Sequence, residues 1–73
     1  MTPEKLAYMA NQIAIAFARL PGEEAEAAIA EHIDQFWDPR MRARLLILAE
    51  TPDADLSDRV RGAAALIRRP ATA

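Results

Sequence analysis

Five prolines limit what this chain can fold into; they stand at positions 3, 21, 39, 52 and 70. Proline lacks an amide hydrogen, and its ring clashes with the carbonyl one turn earlier. A helix therefore starts at a proline or stops before it. Between these breaks the apolar residues recur at three- and four-residue spacing, the period of an α-helix. No β-branched run alternates and no hairpin dipeptide occurs. The expectation is an all-α protein, a small bundle of about four short helices. It forms one domain over residues 1–73, with 70–73 frayed beyond the last proline.

The first helix is predicted from Pro3 to Arg19. Thr2 caps it, Glu4 suits the positive end of the dipole, and Pro21-Gly22 closes it. Its apolar stripe is Leu6, Met9, Ala10, Ile13, Phe17 and Leu20. The second runs from Glu23 to Phe36, with Ala25, Ala28, Ile29, His32, Ile33 and Phe36 inward. Asp38 then caps a third helix that has Pro39 at its first position and ends near Glu50. Met41, Leu45, Leu48 and Ala49 form its stripe; Leu46 and Ile47 fall outside it. "TPDAD" is a turn. Asp55 or Ser57 caps a fourth helix to Arg68, with Leu56, Val60, Ala63, Ala64 and Ile67 inward, and Pro70 ends it.

A chain of 73 residues builds one modest core. Without cysteine it has neither disulfides nor a thiolate metal site, as suits a reducing compartment. The net charge of −2 and the lack of a polybasic run argue against nonspecific nucleic-acid binding. No apolar run reaches the roughly 18 residues of a membrane span, and no signal-peptide pattern opens the chain. A soluble, cytoplasmic protein is expected.

Catalytic chemistry finds little footing. His32 is the only imidazole and has Ala28, Ile29 and Phe36 one turn away, which marks it as a packing residue. A triad or metal site needs convergent partners, and the chain offers no second His, no Cys and a single Ser. The carboxylate pairs Glu23/Glu24 and Asp53/Asp55 lie where helix starts and turns explain them. Arg40, Arg42 and Arg44 are two apart and fan around their helix, so a DNA-recognition helix is the weaker reading.

Apolar and anchor-type surface, by contrast, is in excess. Ala7, Asn11, Ala14 and Ala18 make a second ridge on the first helix, and Tyr8 and Ile15 lie on a further side. This ridge either packs within the domain or admits a partner's backbone. The third helix is apolar nearly all round, so part of it should meet a partner or a second copy. Trp37 lies about 100° from Phe36 on an ideal helix, so the two cannot share one centre. Phe36 is expected to anchor the corner inward. Trp37 either packs over that corner or meets a partner, as hot-spot Trp and Arg residues do.

The motifs "MANQIAIAF" (Met9–Phe17), "PGEEA" (Pro21–Ala25) and "HIDQFWDPRMR" (His32–Arg42) resemble the delta subunit of NAD-dependent formate dehydrogenase. The likeness is close over residues 5–50 and looser in the fourth helix. It maps onto Asn11, Gln12, His32, Phe36, Trp37, Asp38, Pro39, Arg40, Met41 and Arg42. The resemblance implies a non-catalytic accessory subunit of a cytoplasmic formate:NAD+ oxidoreductase. That complex would hold bis-molybdopterin guanine dinucleotide with molybdenum or tungsten, iron–sulfur clusters and FMN on other subunits, and no cofactor here. Its partners would be the alpha subunit, with beta and gamma as further candidates; self-association of the isolated chain stays open. Asn11, Gln12, Trp37, Arg40 and Arg42 are the candidate partner-binding residues. A transient maturation factor that aids cofactor insertion into alpha is the alternative, and a DNA-binding regulator a weaker one.

Overall fold

The computed structural model describes residues 2–67. Four helices form: α1 (Pro3–Ala16), α2 (Gly22–Phe36), α3 (Pro39–Ala49) and α4 (Asp58–Ala64). No strand occurs among the described residues. Three of the four starts carry a side-chain cap. Thr2 accepts from Lys5 N at 3.1 Å, Asp38 Oδ1 from Met41 N at 2.8 Å, and Ser57 Oγ from Val60 N at 3.3 Å. Each satisfies one of the amides that an α-helix leaves without a partner. Ser57, not Asp55, is thus the α4 cap. α2 starts on Pro21 with no side-chain cap, but Glu23 and Glu24 in its first turn oppose the dipole.

Two ends differ from expectation. α1 stops at Ala16, not Arg19. Phe17, Ala18 and Leu20 instead make tight bonds to the carbonyls three residues back. Leu20 precedes Pro21 and is disfavoured in helical geometry, so the last turn tightens and releases early. α4 stops at Ala64 and passes into a turn in which Leu66 and Ile67 both donate to Ala63 O. The predicted end at Arg68, the stop at Pro70 and the frayed 70–73 lie outside the described residues.

The core is built from medium and small side chains. Leu6, Ile29, Ile33, Leu45 and Val60 are fully buried, and Ala10 and Ala63 belong to the same cluster. Alanine at these crossings lets the helix axes come close. α4 packs most extensively on α2, and at Gly62 the Glu26 carboxylate fills the space that a side chain would take. Glu26 also pairs with Arg59 at 3.5 Å.

α3 packs on α1 and α4 more than on α2, its neighbour in sequence. Lying between two helices widens its buried face. Leu46, expected outside the stripe, is buried beside Leu45, while Ile47 stays exposed. Part of the apolar excess read from the sequence is therefore absorbed by the chain itself. The inward assignment of Leu56, Val60, Ala63, Ala64 and Ile67 agrees with the structure.

Candidate docking surface

The corner at residues 36–42 reverses one expectation. Phe36 is 70% exposed and Trp37 only 6%. The two do lie on different sides, as about 100° of separation requires, but Trp37 and not Phe36 is the one that turns inward. Trp37 is the C-cap of α2, with extended backbone at φ −95°, ψ 139°. That backbone turns the following chain away from the α2 axis, and the indole itself lies in the core cluster. Phe36, the last helical residue, is left outside. Its ring lies 4.7 Å from that of His32, which meets Phe17 edge-on at 6.4 Å. His32 thus sits half-buried between two phenyl rings.

Arg42 turns back along α3 and donates from Nη1 to Trp37 O at 3.1 Å. It occupies the carbonyl left at the end of α2, where a cation also meets the negative pole of the dipole. Its Nε is buried with no hydrogen-bond acceptor. Arg40, on the other side of α3, is exposed, and so is Gln12 on α1.

Asn11 has a role inside the fold. Its Nδ2 donates to Asp55 O at 2.8 Å, and its Oδ1 accepts from Ser57 N at 2.9 Å. One amide therefore clamps the segment before α4 onto α1. The ridge it belongs to is divided: Ala7 and Ala14 are buried in this domain, and Ala18 is exposed.

Arg61 reinforces the same segment, and no spacing in the sequence pointed to it. Its guanidinium donates to Ala49 O at 2.9 Å, Thr51 O at 3.1 Å and Ala54 O at 2.7 Å. These carbonyls end α3 and line the turn after it. A planar fork of donors suits such a cluster, and the charge opposes the α3 dipole.

Together these clamps fix a grooved face along α1. Three depressions adjoin one another there. The first, at the start of α1, is lined by Leu6, Arg44 and Ile47 among others. The second, of about 390 Å³, lies beside Tyr8, Leu48 and Ala54. The third, of about 400 Å³, lies beside Ala14, Ile15 and Arg59. Pro3 and Leu48 are shared by the first two, and Asn11 and Asp55 by the last two. The Asn11–Asp55 hydrogen bond is thus the saddle between the second and third basins.

No group of three or more His, Cys, Asp or Glu side chains gathers into a metal-ligand set among the described residues. Nor is any described helix long and apolar enough to cross a membrane.

A sequence profile for the NADH-dependent formate dehydrogenase delta subunit, FdsD, matches residues 5–64. The chain belongs to this family. The match takes in all of α2, α3 and α4 and most of α1, beyond the stretch that carried the resemblance most closely. No curated protein and no solved structure gave a match. In this delta-subunit-family chain, folding accounts for much of the motif read from the sequence. Asp38 and Pro39 start α3, Trp37 fills the core, Arg42 caps α2, and Asn11 clamps the turn. Of the ten residues the resemblance maps onto, Gln12, Phe36, Asp38, Pro39 and Arg40 are exposed, and Asp38 and Pro39 among these start α3.

Proposed function

We propose that this chain is a non-catalytic accessory subunit of a cytoplasmic NAD-dependent formate dehydrogenase, docking on the large subunits and supporting assembly and stability of the complex. The family match over residues 5–64 is the observation that carries the reading. The chemistry of the side chains agrees with it. His32 stands between phenyl rings, and there is no cysteine for an iron–sulfur cluster. The molybdenum or tungsten centre with its bis-molybdopterin guanine dinucleotide, the iron–sulfur clusters and FMN belong to other subunits on this reading. Gln12 and Arg40 are the contact residues retained from the sequence. Asn11, Trp37 and Arg42 serve docking by holding the surface in shape.

Deleting the chain tests this reading. The other subunits, expressed without it, should assemble into less complex or a less stable one. Enzyme that does assemble should keep its turnover per molybdenum or tungsten. Full loss of turnover in intact, metal-loaded complex would assign the chain a catalytic part. Normal assembly with a metal-empty alpha subunit would favour the maturation-factor alternative.

A further inference from the structure

Five large apolar side chains are strongly exposed among the described residues: Tyr8, Ile15, Phe36, Ile47 and Leu66. Three of them line the adjoining depressions along α1: Ile47 the first, Tyr8 the second, Ile15 the third. Each of the three is 64% exposed. Scattered apolar residues on a surface need no explanation, but a row of them along one concave face marks a binding surface. α1 has 14 residues, so at 1.5 Å per residue the face is about 21 Å long. That length holds four helical turns of a partner.

Charge along this face is ordered. The middle basin is lined by Glu4, Asp53 and Asp55 and by no basic side chain. Arg44 lines the basin at one end and Arg59 the basin at the other. Complementary potential favours a ligand that is cationic at its centre and carries no cation at either end. The floor is already set, since Asn11 and Arg61 hold the wall opposite α1. Little ordering entropy is then lost on this side when a segment binds.

We propose that the α1 groove receives a segment of another formate dehydrogenase subunit, apolar at three points and carrying Lys or Arg at its middle. Ile47, Tyr8 and Ile15 are its apolar contacts, and Asp53 with Glu4 receives the cation. This inference rests on the accessory-subunit reading and assigns that docking to one face.

The test is co-expression of the full chain with the other subunits and capture on a tagged large subunit. Tyr8→Ala combined with Asp53→Lys should reduce the captured chain by about tenfold or more, as loss of a central anchor and a paired charge does. The reduction should be greatest at low salt, where the charge contributes most. Leu66→Ala and Glu31→Lys change an exposed apolar and an acidic side chain on the α2/α4 face, and both should be captured like wild type. Should the double variant melt below wild type, the single changes Tyr8→Ala and Asp53→Asn take its place. A photo-crosslinking amino acid at position 8 should join the chain to a Lys- or Arg-containing peptide of another subunit. Groove variants captured as well as wild type would overturn the groove and leave the accessory reading standing. Wild-type chain that is not captured would overturn both. A crosslink to a second copy of this chain, or to a peptide without basic residues, would also overturn the proposal.

Discussion

Trp37→Ala is the substitution that probes the fold most sharply. The indole is 6% exposed and belongs to the one core cluster. A buried Trp removes about 200 Å² from water, which at about 25 cal/mol per Å² amounts to roughly 5 kcal/mol. Measured truncations of buried aromatics cost about 3–5 kcal/mol, because the cavity relaxes only in part. A 73-residue domain has a total stability of about 4–11 kcal/mol at the usual figure per residue. Trp37→Ala should therefore remove a large share of it and lower the melting temperature by about 12 °C or more. Phe36→Ala is the internal control. That ring is 70% exposed, so its loss should cost less than about 1 kcal/mol. Urea titration followed by far-UV circular dichroism reads both variants; Trp emission is an added probe for Phe36→Ala. A large midpoint drop for Phe36→Ala with a wild-type midpoint for Trp37→Ala would refute the inward Trp37.

Three further substitutions test the clamps. Arg61→Ala removes donors to Ala49, Thr51 and Ala54 and should cost about 2–4 kcal/mol by urea midpoint, with Arg61→Lys recovering only part because it lacks the fork. Asn11→Ala should cost about 1–2 kcal/mol and speed amide exchange at Ser57. Asn11→Asp should fare no better, since it sets a second oxygen against the Asp55 carbonyl; wild-type exchange at Ser57 in either variant would dismiss the clamp. Asp38→Ala removes the cap on Met41 N and should cost about 0.5–2 kcal/mol, whereas Asp38→Asn should restore most of it.

Helix number and order were legible because proline and capping chemistry are local. Thr2, Asp38 and Ser57 sit beside the helices they start, and the apolar period between the breaks is clear. What failed depended on tertiary packing or on distant pairing. The separation of Phe36 from Trp37 was legible, but which of the two turns inward depends on how α2 packs against the rest of the chain. Leu46 is buried because α3 lies between α1 and α4, an arrangement set by tertiary packing. Asn11 bonds residues 44 and 46 positions away, so nothing near it in the chain disclosed its role. The candidate surface was legible only in part. Tyr8 and Ile15 stood apart from the apolar stripe in the sequence, but their alignment with Ile47 and Asp53 needs the turn after α3 folded against α1.

Native mass spectrometry of active formate dehydrogenase, purified from its own cells without a tag on this chain, tests the accessory role most directly. The expected result is an intact complex that contains this 8.1 kDa chain in fixed ratio to the large subunit. Release of the chain should leave subunits that dissociate more readily. Fully active, stable enzyme from which the chain is absent would contradict the accessory role.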